Sequence, residues 1–232
     1  MQKKIIIISL ITLICYSCDF TSASEYYNKS IDYQEQGNTK KELELLEKVL
    51  EKNPKFRPAL YNRGIINSNS GNYEQAINDY QKIINFNPNN TLVLRNIGND
   101  YANLKKYKKA ISYYNKALKT KGASKSDALF IELNWINEFD KDSEYYVRKC
   151  EIEYERGLAY LDNKEYELAI ADFKKTIEVN YEKPTSYYWI GEAYIGLNDS
   201  TEICNNFIKS AKLGIEEAKD KLREYCIKKQ TD

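Results

Sequence analysis

The sequence predicts an all-α protein, a linear stack of helix-turn-helix units closed by a short helix, and three observations carry that expectation. Asn28, Asn62 and Asn96 stand 34 residues apart each time, inside the related stretches YYNKS, LYNRG and LRNIG. A fixed period of this size marks a chain built from stacked supersecondary units. A small residue recurs two places after each Asn, at Ser30, Gly64 and Gly98, and again at Gly157 and Gly191. The chain of 232 residues holds only 9 Gly and 4 Pro, few for a β-rich or loop-rich fold.

Units start at Ala23, Arg57 and Thr91 without a break, and two more start at Cys150 and Pro184. Each reads as a helix, a short turn and a second helix. In the first helix the small residue is followed three places on by Tyr33, Tyr101, Tyr160 or Tyr194, with Asn67 as the exception. In the second helix Ala76, Ala110 and Ala169 precede Tyr80, Tyr114 and Phe173 by four places. Two antiparallel helices approach closely only where one presents a small residue, and an aromatic fills the gap beside it. Gly inside a helix costs about 1 kcal/mol relative to Ala, so its recurrence needs such a packing reason. Pro54 and Pro88 close the first two units, since proline cannot continue a helix.

These residues resemble the tetratricopeptide repeat family, over about 170 residues in five units. The units at 57, 91 and 150 match well. Those at 23 and 184 depart, with Glu42 and Ile203 where the family has Ala, as end repeats of a solenoid often do. EEAKDKLREY, with Ala218, Leu222 and Tyr225 on one stripe, resembles a C-terminal capping helix. The resemblance implies a right-handed α-solenoid, with units 1–3 over 23–124, units 4–5 over 150–215, and the cap and tail over 216–232.

Residues 125–149, KSDALFIELNWINEFDKDSEYYVRK, are not a repeat, and their apolar residues from Leu129 to Phe139 demand burial. Ser124 with Asp127 three places on can cap a helix there. Two readings stay open: the insert pads the flank of the solenoid or lengthens the first helix of the next unit, or it folds over the groove and narrows or gates it.

The N-terminus reads as an export signal. Lys3 and Lys4 precede the 11 apolar residues Ile5 to Cys15, too few for the roughly 20 a bilayer span needs. CYSCD then resembles a bacterial lipoprotein signal, 1–17, whose cleavage leaves Cys18 to carry lipid, ahead of a short tether over 18–22; Cys15 stands where the family prefers Leu. Without residues 1–17 the chain carries 33 Lys and Arg against 34 Asp and Glu, so acyl chains would hold it to the membrane. The Asn, Lys, Ile and Tyr bias is similar to that of Bacteroidota lipoproteins. The expected place is the bacterial cell envelope, on a lipid-anchored membrane, with the outer membrane favoured.

The resemblance also implies a binding groove lined by the first helices. The sixth place of each unit is Asn28, Asn62, Asn96, Glu155 and Trp189; the fifth is Tyr27, Tyr61, Arg95, Tyr154 and Tyr188. A primary amide offers two donors and an acceptor, enough to hold both groups of a peptide bond. Exposed Tyr offers apolar area with a hydroxyl. A plainly solvated Asn is the competing reading. Arg95 and Asn99 resemble one half of the family's clamp for a terminal carboxylate, but Glu155 stands where the next unit should help.

The chain has no His and no phosphate-binding Gly loop, nucleophile elbow or paired-Cys motif. The expectation is therefore no catalysis, no metal, no cofactor and no small-molecule substrate. The balance of 35 Lys and Arg against 34 Asp and Glu advertises no nucleic acid. Cys204 and Cys226 could close the cap as a disulfide in an oxidising compartment, or stay free. Together these features describe an exported, membrane-anchored scaffold that binds a peptide or protein segment. The alternative is an accessory lipoprotein of an outer-membrane assembly or secretion machine.

Overall fold

The computed structural model describes residues 21–124 and 146–227, and several of its helices start at a capping side chain, Ser22, Asn38, Asn90 and Asp199 among them. The signal segment, Cys18 and residues 125–145 of the insert lie outside them. The chain divides into two compact units, 1–59 and 60–232.

The first unit holds helices α1 (Ala23–Glu35) and α2 (Thr39–Lys52). Ser22 and Glu25 form a reciprocal capping box at the start of α1. The Asn38 side chain accepts from the Lys41 amide at the start of α2. Ser30 and Leu46, sixteen residues apart, are both fully buried.

Helix α3 (Arg57–Asn69) starts in the first unit and runs into the second. The second unit continues with α4 (Tyr73–Phe86), α5 (Thr91–Asn103), α6 (Tyr107–Ala117), α7 (Lys149–Asp162), α8 (Tyr166–Glu178), α9 (Lys183–Leu197), α10 (Ser200–Lys212) and α11 (Glu216–Leu222). Successive helices pair as antiparallel hairpins. Each hairpin turn passes through the left-handed region at one recurring place: Gly37, Gly71, Lys105, Lys164 and Asn198 have φ of 69°, 79°, 56°, 63° and 59°. Gly adopts that conformation freely, whereas the two lysines hold it against their own preference.

The recurring glycines are contact points, but the ring that covers each one is not the Tyr three places on. It comes from the second helix, sixteen residues later. A Cβ on Gly64 would lie 2.5 Å from the Tyr80 ring, on Gly98 2.6 Å from Tyr114, on Gly157 2.9 Å from Phe173 and on Gly191 2.7 Å from Phe207. Tyr80, Tyr114 and Phe173 are thus the gap-fillers among the repeated aromatics, and the tyrosines three places on are half-buried; Tyr101, for one, stacks on Tyr113 at 5.5 Å. A second sixteen-residue link was not foreseen: Arg63 grips Asp79 through two hydrogen bonds of 2.7 and 2.8 Å, and Arg156 grips Asp172 at 2.6 and 2.7 Å. Both aspartates are buried, so these pairs are desolvated and two-pronged.

The insert leaves and re-enters the fold at one place. Ala123–Ser124 pairs in parallel with Val147–Arg148, and the Val147 amide donates to the Gly122 carbonyl at 2.9 Å. Lys149, expected to end the insert, is the first residue of α7. Val147 then joins Leu94, Tyr114 and Ile152 in one core cluster, so α5, α6 and α7 pack continuously across the interruption.

The cap is shorter than the sequence pattern suggests. Helix α11 ends at Leu222 and widens into a π-turn over Arg223–Ile227. Ala218 is fully buried beside Ile203 and Phe207, with Leu222 and Tyr225 against them. Cys204 and Cys226 are joined as a disulfide with Cα atoms 5.9 Å apart, and Cys150 is a buried free thiol. Among the described residues, no helix is long and apolar enough to cross a membrane.

Candidate functional site: the face of the first helices

Within the second unit, α3, α5, α7 and α9 occupy equivalent places in successive hairpins. Their fifth and sixth places, expected to point separately toward a ligand, are joined to each other across neighbouring hairpins. Trp189, at a sixth place, donates from Nε1 to the Tyr154 hydroxyl, at the fifth place of the hairpin before, at 3.0 Å. Glu155 receives Arg95 in the same sense: Arg95 Nε donates to Glu155 Oε2 at 2.8 Å, and a second bond joins Nη2 to Oε1. The Asn96 amide lies against the Tyr61 hydroxyl in a contact that favours the ionised phenol, though burial still raises the Tyr61 pKa. In these three hairpin pairs the sixth place therefore meets the fifth place of its predecessor, closing a rung.

The Arg95 rung is the most elaborate. Glu151 adds a second carboxylate 3.5 Å from Arg95 Nη1. Asn99 donates to Glu155 Oε1 at 3.4 Å and accepts from the Tyr114 hydroxyl at 2.6 Å. Burial works against the Arg95 cation, but the Glu155 hydrogen bonds and the Glu155 and Glu151 charges outweigh it and raise its pKa. Arg95 and Asn99 are thus filled by a carboxylate of this chain, and no half-clamp stands open for a terminal carboxylate.

The other expected groove residues divide by burial. Tyr27 is only 2 % exposed and packs on Phe56 at 5.1 Å, so its ring belongs to the core of the first unit. Asn28 is exposed, Asn62 is 7 % exposed, and Asn96 is half-buried with its Nδ2 fully covered. The three amides do not form an exposed ladder, because Asn62 and Asn96 are largely withdrawn from solvent. Tyr61 packs on Tyr80 at 6.1 Å.

Half-buried aromatics remain on α7 and α9. Tyr154 meets Tyr181 edge-on at 5.9 Å, and its hydroxyl donates to Thr185 at 3.2 Å. Tyr188 stands against Trp189 at 5.0 Å and Phe207 at 5.6 Å. Arg148 lies over the Tyr181 ring at 4.9 Å. Burial first, then the Glu151 and Glu155 charges, push the Tyr181 phenol up to about 12. Tyr181 and Arg148 were missed in sequence because they lie outside the first-helix register. No group of acidic, Cys or His side chains among the described residues could hold a metal ion.

A second polar group lies between α3, α4 and α5. Ser68 donates to Asp100 Oδ1 at 2.6 Å, while Asp100 Oδ2, Tyr80 Oη and Asn96 Nδ2 are buried without well-directed hydrogen bonds. Burial pushes the Asp100 carboxyl up to about 6, and the Ser68 bond holds it from rising further. A folded-state pKa above the unfolded value means that stability is fully present below about pH 4 and is lost as pH rises through about 6. Asp100→Asn should therefore stabilise the protein by about 2 kcal/mol at pH 7.5 and by far less at pH 4.5. Urea melts at the two pH values check this; equal destabilisation at both would refute it.

Profiles of the tetratricopeptide repeat match residues 58–90 and 92–121, and a second match covers 154–202. The chain therefore carries tetratricopeptide repeats. A comparison with curated proteins finds no match. Among solved structures, a tetratricopeptide repeat protein from Parabacteroides merdae is similar with a TM-score of 0.67 at 21 % identity, over 86 % of this chain and 72 % of that one. MamA from Desulfovibrio magneticus gives 0.66 at 20 %, over 82 % and 94 %. YrrB, a tetratricopeptide repeat protein described as having an unusual peptide-binding site, gives 0.65 at 15 %, over 83 % and 87 %. The all-α architecture is that of a tetratricopeptide solenoid.

Proposed function

We propose that this protein is a non-catalytic scaffold whose first-helix face binds an extended segment of a partner protein in the cell envelope, with Cys18 as the lipid attachment site. One observation carries the binding reading: Tyr154, Tyr181, Tyr188 and Trp189 form a half-buried aromatic surface on hairpins already fixed by cross-hairpin bonds. Such a surface loses little freedom on binding, and Tyr, Trp and Arg are the side chains that anchor interfaces. The peptide-binding site named for YrrB is consistent with this use of the fold. Of the amides expected to hold a peptide backbone, Asn62 and Asn96 are largely covered and Asn28 alone is exposed, so the aromatic side chains are the anchors.

Affinity capture from membranes tests the proposal. The native sequence should retain a protein partner, and Tyr181→Ala with Tyr188→Ala should lower recovery about tenfold or more, as loss of interface anchors does. Undiminished recovery would remove the aromatic surface from the site. In the same cells, Cys18→Ser should move the protein from the membrane to the soluble extract; continued membrane retention would argue against the anchor.

A further inference from the structure

One surface of the second unit has a charge unlike the rest of the chain. Residues 101–124, YANLKKYKKAISYYNKALKTKGAS, contain seven lysines and no Asp, Glu or Arg. All seven are exposed: Lys105, Lys106, Lys108, Lys109, Lys116, Lys119 and Lys121. The remainder of the chain has fewer cations than anions, so the near-neutral total conceals a local basic field.

The helix concentrates that field. At 3.6 residues per turn, Lys108, Lys109, Ser112 and Lys116 fall within an arc of about 100° on α6. Lys105 and Lys106 extend it before the helix, and Lys119 follows just past the helix end. The opposite face of α6 buries Ala110, Tyr114 and Ala117, which fixes the orientation of the lysines. Lys109 lies over the Tyr101 ring at 5.3 Å and Lys116 over Tyr113 at 4.6 Å, contacts that steady the ammonium groups without neutralising them. Lys106 and Glu74 meet at 3.4 Å, both well exposed.

We propose that the lysine face of α6 is a membrane-docking surface that rests on anionic phospholipid headgroups. The side-chain chemistry favours this occupant. Lysine is a compact point charge suited to a diffuse plane of phosphates, whereas bidentate recognition of one carboxylate or phosphate calls for Arg, absent from this face. Clustered lysines beside an anionic leaflet bind within a Debye length and release as salt rises. The proposal accords with the lipid-anchor reading, and its test does not depend on it.

The experiment is sedimentation of residues 19–232, which carry no acyl group, with vesicles of phosphatidylglycerol and phosphatidylcholine or of phosphatidylcholine alone. The protein should bind only the anionic vesicles at about 0.05 M salt and release toward about 0.3 M. Lys108→Glu, Lys109→Glu, Lys116→Glu and Lys119→Glu together should lower binding at least about tenfold. Lys29→Glu, Lys40→Glu, Lys174→Glu and Lys212→Glu, with the same net charge placed elsewhere, should bind much more strongly than that variant. Failure of the unaltered chain to bind anionic vesicles, or equal binding by the two variants, would overturn the proposal. A chain lacking 125–145, a segment with six acidic residues and two lysines, is run in parallel. Binding that emerges only in that chain would assign the face to the protein's own acidic segment and equally overturn the proposal.

Discussion

Gly98→Ser should destabilise the protein by about 2–3 kcal/mol, and adding Tyr114→Leu should restore roughly half of that loss. Gly98 admits the Tyr114 ring so closely that a Cβ would sit 2.6 Å from a ring carbon. Tyr114 is fully buried, so its ring has no free space to retreat into. Gaining a better helix former offsets only about 0.5 kcal/mol. The double variant copies Ser30 and Leu46, which occupy the same two places in the first unit and are both fully buried. Recovery stays partial because the Tyr114 hydroxyl also donates to Asn99. Urea unfolding measures both effects. A single variant as stable as the parent would mean that the close approach does not constrain the hairpin.

Glu155→Ala should cost about 2–3 kcal/mol by leaving Arg95 mostly desolvated with only the longer Glu151 contact. Arg95 and Glu155 side chains are 22 % and 20 % exposed, so part of the charge remains screened and the loss stays below that of a fully buried pair. Arg95→Tyr with Glu155→Asn should recover most of the stability, because it transplants the Tyr61–Asn96 rung one hairpin along. Replacing Arg95 alone with Tyr should recover less, since it leaves Glu155 as an uncompensated carboxylate. A double-mutant cycle in urea gives the coupling. Additive losses would show that the rung is not a unit.

The fold was legible in the sequence where packing demands one residue type again and again. Gly64, Gly98, Gly157 and Gly191 recur because no other residue tolerates the covering ring, and the period follows from them. Which ring covers them was not legible. Tyr80 and Tyr101 are equally conspicuous as repeated aromatics, and only helix geometry brings the sixteen-residue partner over the glycine. The rungs were hidden for a different reason. Their members change type together, from Tyr and Asn to Arg and Glu to Tyr and Trp, so no single residue repeats. The insert also stretches one rung to a separation of 60 residues where its neighbour has 35. Asn96, Glu155 and Trp189, which read as the end of an asparagine series and its interruption, make one kind of link with three chemistries. Tyr27 was misplaced because a fifth place holds a buried ring in the first unit and a half-buried one at Tyr154.

The central functional claim, that a protein segment lies on the first-helix face, is tested most directly by site-specific photo-crosslinking in living cells. A photoreactive phenylalanine replaces Tyr188 on α9 in one strain and Ile208, an exposed residue on α10, in another. The account predicts light-dependent adducts of discrete mass at position 188 and none at 208. Adducts at 208 alone, or at neither position, would contradict it.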